Sequence, residues 1–151
     1  MAKRTWLAGL LIVALVVVAA GAPLLRNTSQ AGMLGPAETV EAFYAWYLDY
    51  IGDPATGEFR NPLADRAYRD SAYLAPEFIA EGDALLDSFE GGGDDPFLMA
   101  QDVPTEIHVG EAMVAGDMAT VPVTTSFPGH SLEVTLAKGT DGVWQITDIT
   151  R

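Results

Sequence analysis

Near Gly91 the apolar residues change their spacing from steps of three and four to steps of two, and no single kind of secondary structure satisfies both halves. Before that point Val40, Phe43, Tyr44, Tyr47, Leu48 and Ile51 recur as on one face of a helix, and Phe78, Ile79, Gly82, Leu85, Leu86 and Phe89 repeat the pattern. After it the alternation is that of strands: Ile107 and Val109, then Ala119, Val121, Val123, Thr125 and Phe127, then Leu132, Val134 and Leu136. A last run sets Trp144, Ile146 and Asp148 on one side and Val143, Thr147 and Ile149 on the other. Helices first and strands afterwards predict an α+β domain, with about three helices packed on a curved antiparallel sheet of about four strands.

The punctuation agrees with this order. Gly35-Pro36 with Glu38 and Glu41 opens the first helix and Gly52-Asp53-Pro54 stops it. Asn61-Pro62 predicts a short second helix reaching Tyr68 to Ala72, with Leu63, Ala67 and Tyr68 inward and Arg66 and Arg69 in surface ion pairs with Asp65 and Asp70. Pro76 opens a third helix that Glu90-Gly91-Gly92-Gly93 ends. Turns at Gly116-Asp117, Pro128-Gly129 and Gly139-Thr140-Asp141-Gly142 separate the strands. Pro122 donates no ladder hydrogen bond, so its strand is expected at an edge or bulged there.

Ahead of this domain, Trp6 to Leu25 is a run of 20 residues without a charge. As a helix it is roughly 30 Å long, the hydrocarbon thickness of a bilayer. Lys3 and Arg4 precede it and put the N-terminus in the cytoplasm. Two readings stand, a retained anchor and a signal peptide removed after Val18-Ala19-Ala20 or Ala20-Gly21-Ala22, and both place the remainder of the chain outside. The expected organisation is a signal-anchor or transmembrane helix over 1–26, a flexible linker over 27–35 and an exterior α+β domain over 36–151.

Charge separates the same parts. Lys3, Arg4 and Arg26 hold three of the eight basic side chains, and all 21 acidic ones lie at Glu38 or beyond. The formal charge of −13 is therefore a +3 membrane segment and a −16 exterior domain. Such a domain repels a phosphate backbone and anionic head groups, so no nucleic acid is expected as partner, and the membrane is met through the N-terminal helix alone. With no cysteine in the chain, disulfide scaffolds, thiolate metal sites and thiol nucleophiles are excluded.

Chemistry-bearing residues are few. Phe43, Tyr44 and Tyr47 form an aromatic stripe that packs a core or lines a pocket. Asp94, Asp95, Gln101 and Asp102 supply oxygen ligands in an acidic loop, but the spacing matches no calcium loop. In the other reading of that loop, Asp95 or Asp102 caps a turn and Phe97-Leu98 plugs the core. His108 points away from the face of Ile107 and Val109, and His130 sits in a Pro-Gly turn, neither beside a nucleophile and an orienting acid. Gly91-Gly92-Gly93 follows a helix among acids and is no phosphate loop. No cofactor or metal is expected, and the candidate ligand-binding residues are Tyr44, Tyr47, Asp95, Gln101 and Asp102.

Glu41-Ala42-Phe43-Tyr44-Ala45-Trp46-Tyr47-Leu48, Asn61-Pro62-Leu63 with Arg66-Ala67-Tyr68-Arg69, Asp95-Pro96-Phe97-Leu98 with Gln101-Asp102, and Trp144-Gln145-Ile146-Thr147-Asp148-Ile149 come one after another in an order that resembles the DUF3828 family of exported bacterial proteins. The likeness runs from about Val40 to the C-terminus, with Asp94 and Met99 departing from the family's pattern. It implies an extracytoplasmic location and a cone-like, nuclear-transport-factor-2-like fold, and it names no reaction. The expected function is non-catalytic binding of a protein partner or a small ligand outside the cytoplasm. The alternative is a pocket enzyme, an isomerase or hydrolase, with Asp102 as the pocket acid. A filled core with an exposed apolar patch favours a protein partner, and a deep cavity holding a buried carboxylate favours the enzyme.

Overall fold

The computed structural model describes residues 34–53, 56–57, 59–88 and 93–151. The membrane segment expected over 1–26 and the linker as far as Met33 lie outside the described residues, as do Pro54 and Phe89 to Gly92. The elements run α1 (Pro36–Ile51), a 3-10 helix (Ala67–Asp70), α2 (Pro76–Ser88), β1 (Ile107–Val109), β2 (Met113–Ala115), β3 (Met118–Thr125), β4 (Ser131–Lys138) and β5 (Trp144–Thr150).

Helix α1 starts where Pro36 fixes the first turn and Thr39 bonds back to the Gly35 carbonyl through both its amide (2.9 Å) and its hydroxyl (2.8 Å). It ends at Gly52, whose φ of 77° is open to glycine at no steric cost. Its buried stripe is Val40, Phe43, Tyr44, Tyr47 and Ile51. The expected second helix does not form. Asn61 Oδ1 accepts the amides of Leu63 and Ala64 as a cap should, but Arg66 takes φ 54°, which an α-helix does not continue through. Turns and the short 3-10 helix replace it.

The sheet is antiparallel and has five strands where residue spacing predicts about four, in the order β1-β3-β4-β5 with β2 also on β3. The additional strand arises because β1 and β2 share one side of β3: Val109 faces Val123 and Met113 faces Thr120. Three residues (110–112) thus oppose two (121–122), a bulge in the edge. Pro122 sits at that break. Its carbonyl accepts from Gly110 (2.8 Å), so the side on which it lacks an N–H is the interrupted edge, and its strand can pair with β4 along the other side. Gly110 is required there, since a Cβ would come within 2.8 Å of Pro122 Cγ.

A second irregularity corrects the expected facing of β5. Val134 pairs Ile149 and Leu136 pairs Ile146, so β5 carries one residue more than β4 across that interval. The bulge turns Ile149 to the same buried side as Trp144 and Ile146 and leaves Asp148 exposed. Beyond β5, Ile146 donates to the Tyr73 carbonyl (2.8 Å), and its carbonyl accepts from Ala75 (2.9 Å). Gln145 Nε2 adds bonds to the carbonyls of Ala72 and Leu74. The β5 edge is therefore paired at Ile146 by the segment before α2, while the edge made by β1 and β2 is open.

Both helices pack on one face of the sheet, α1 over β1, β3 and β5 and α2 over β5. The core between them takes Ala119, Val121 and Val123 of β3, Leu132, Val134 and Leu136 of β4, and the aromatic stripe of α1. Phe97 stands at its centre, fully buried, with the rings of Phe43, Tyr47, Tyr68 and Phe78 at 5.7, 5.6, 5.2 and 5.8 Å.

Candidate functional site

Tyr44, Tyr47 and Asp95 come together beneath α1. The turn from Asp95 to Ala100 closes on itself through Asp95 N–H to Ala100 O (2.8 Å), and Asp95 Oδ1 accepts the amides of Phe97 (2.8 Å) and Leu98 (3.1 Å). The Tyr47 hydroxyl donates to Asp95 Oδ2 at 2.6 Å, and Tyr44 donates to the Phe97 carbonyl at 3.0 Å. Burial raises both phenols well above the usual tyrosine range, reinforced by the Asp95 charge. Burial also raises the Asp95 carboxyl, against the lowering effect of the Tyr47 and amide hydrogen bonds. Among the described residues no buried side-chain nitrogen or oxygen lacks a hydrogen-bond partner. The carboxylate is thus spent on holding a turn whose Phe97 and Leu98 fill the core, which is structural chemistry.

Gln101 and Asp102 are not part of that cluster. Both are exposed, on the rim of a shallow hollow of about 250 Å³ shared with Asp94, Met99 and Arg151. His130, at the end of the β3–β4 turn, is buried with no signal for it in the residues around it. It is 6% exposed, with Nδ1 3.1 Å from Thr125 Oγ1 and Nε2 3.1 Å from the Met99 carbonyl. It ties the β3–β4 hairpin to the Asp95 turn. His108 is exposed and lies 3.5 Å from Glu106. No group of three or more His, Cys, Asp or Glu among the described residues could hold a metal ion.

Arg66 and Arg69 pair differently from the expected Asp65 and Asp70. The 3-10 turn carries them toward α2, where Arg66 reaches Asp83 (3.1 Å) and Asp87 (2.6 Å) and Arg69 reaches Asp83 (3.0 Å). The Tyr68 hydroxyl also donates to Asp83. Arg69 and Tyr68, with Arg66 behind them, hold the Asp83 carboxyl down to about 2. Arg60 and Lys138 lie over the rings of Tyr50 and Trp144.

Accessible apolar surface collects instead at the β2–β3 hairpin, where Met113 is 63%, Val114 56% and Met118 47% exposed. On the same edge two hollows flank Leu48 between α1 and the chain from Val103 to Val109. One, of about 360 Å³, is lined by Glu41, Tyr44, Ala45 and β1, and the other, of about 340 Å³, by Ile51, Asp53, Val103 and Pro104. Met113-Val114 does not stand out in the sequence, because neighbouring apolar residues in a three-residue strand show no alternation.

No family model matches the chain, and no curated protein matches it. Among solved structures, a chain of the type VI effector-immunity complex Tae3-Tai3 from Ralstonia pickettii is similar at 24% identity and a TM-score of 0.56. The match covers 76% of this chain and 94% of that one, and it shows a shared α+β fold.

Proposed function

We propose that this chain is an exported domain of the DUF3828 type, tethered by a membrane helix over 1–26 or released by its cleavage, that binds a protein partner outside the cytoplasm without catalysis. The observation that carries this reading is the exposed apolar hairpin of Met113, Val114 and Met118 on a domain whose helix-sheet core is filled. Apolar side chains exposed together on a small domain mark a surface that another molecule covers. The similar solved chain belongs to a complex between an effector and an immunity protein, which supports a small fold of this kind acting by engaging another protein.

The test is site-specific photo-crosslinking in the native host, with a photoreactive side chain at Met113 or Val114 and a control at exposed Glu77 on α2. One discrete protein adduct at the hairpin positions and none at Glu77 is the expected result. The same adduct pattern at all three positions, or no protein adduct, refutes the reading.

A further inference from the structure

Along the open edge, Glu106 O accepts from Ser126 and Gly110 N–H donates to Pro122, so residues 106, 108 and 110 turn their main-chain groups toward β3. Strand alternation then directs the N–H and C=O of Ile107 and Val109 away from β3, on the side left unpaired. The half-buried side chains of Ile107 and Val109 face the helices, as does Val123, the partner of Val109. Beside them Tyr44, Ala45 and Leu48 supply an apolar wall from α1, and the two hollows on either side of Leu48 track the chain from Val103 to Val109. The paired part of this edge, Ile107–Val109, is roughly 10 Å long, and the chain from Val103 leads into it along the second hollow.

We infer that this groove is a strand-addition site, in which β1 pairs with an extended, basic segment of the protein partner. The partner's alternate apolar side chains pack on Leu48 and Ala45, and its lysines or arginines meet the acidic rim. Charge selects this occupant. Exposed Glu41 and Glu106 border the groove with Glu111 just past its end, and no lysine or arginine lines either hollow. A second copy brings a chain of net charge −13 against the same acids, and the Asn27–Met33 linker contains no basic residue to match them. The inference rests on the protein-binding reading and specifies its mode and chemistry.

The experiment uses the full chain in dodecyl maltoside micelles and a fluorescent (Lys-Val)4 peptide, read by anisotropy at low salt. Three further probes are used: the same peptide N-methylated at alternate amides, which keeps its charge, a (Glu-Val)4 peptide, and hydrogen exchange of the protein. Binding in the range of about 10–100 μM is expected, with exchange slowed at Ile107 to Gly110. N-methylation is expected to weaken it about tenfold or more, Glu41→Lys several-fold, and (Glu-Val)4 is expected not to bind. Val109→Pro removes an outward donor and gives the same loss as N-methylation, while circular dichroism reports whether it is folded.

Equal affinity for the N-methylated peptide, protection confined to the β2–β3 hairpin, or no binding at millimolar peptide overturns the inference. So does a dimer in sedimentation with protection at residues 107–110, which puts a second copy in the groove. If the peptide fails while crosslinking at Met113 still captures one protein, strand addition is wrong and the protein-binding reading stands. If the peptide pairs with β1 and crosslinking captures nothing, the protein-binding reading falls and only the capacity of the groove to take a basic strand stands.

Discussion

Replacing Phe97 by alanine empties the centre of the core. The side chain is fully buried and four rings stand within 6 Å of its own. A buried Phe→Ala change costs about 3–5 kcal/mol, and the figure depends on how far the walls can collapse into the space. Here they are held back. Tyr47 is bonded to Asp95 and Tyr68 to Asp83, so two of the four surrounding rings are fixed at their far ends, while Tyr44 holds the Phe97 carbonyl. The loss should therefore lie at the upper end, about 4–5 kcal/mol, against a total of about 5–15 kcal/mol for a domain of this size. At about 3 °C per kcal/mol the melting temperature falls by roughly 12 °C or more. Phe97→Leu keeps most of the volume and should cost about 1–2 kcal/mol. Urea unfolding followed by tryptophan fluorescence measures both, with an unchanged m-value as the check that the unfolded state is the same. A loss below about 2 kcal/mol for F97A, or equal losses for both variants, would show that the ring cage does not hold Phe97 rigidly.

Two carboxylates should give opposite pH responses. The Asp83 carboxyl is lowered to about 2, so its stabilising effect is present above the ordinary range near ~4 and is lost as pH falls through about 2; Asp83→Asn should flatten that acid limb in thermal melts. Asp95 is raised, so its contribution is present below ~4 and lost as pH rises through its shifted value; the stability of Asp95→Asn relative to the native chain should improve over that rise. An Asp95→Asn profile parallel to the native one contradicts this. Gly110→Ala drives a methyl to 2.8 Å from Pro122 Cγ and 3.1 Å from its carbonyl oxygen, which should cost about 1–3 kcal/mol in the same unfolding assay, whereas Gly116→Ala at the open hairpin tip meets no atom and is penalised only by its φ of 65°.

The long helices and strands are legible from residue spacing because burial acts on every turn or every second residue. The features that escape it are single-residue events. Arg66 enters the left-handed region and aborts a helix that Asn61-Pro62 properly begins, and one additional residue in β5 transfers Ile149 from the outward to the inward side. Pro122 does announce a bulge or an edge, but only the partner strands reveal that the missing donor faces the gap between β1 and β2. At the candidate site, Tyr44, Tyr47 and Asp95 lie together whereas Gln101 and Asp102 are exposed outside the cluster, and His130 is buried through bonds to Thr125 and Met99, of which Met99 is remote in the sequence. The open groove leaves no trace in residue spacing, since it is defined by the bare side of β1.

The unequal ends of the sheet bear on stoichiometry. A sheet with two bare ends is a repeating unit: each copy that adds a strand exposes a fresh end for the next, and assembly grows without closing. Here residues 73–75, held to Ile146 by two main-chain bonds, already occupy one end. A guest strand that paired with the remaining end would consume it, so complexes formed in that way would stop at one guest per chain.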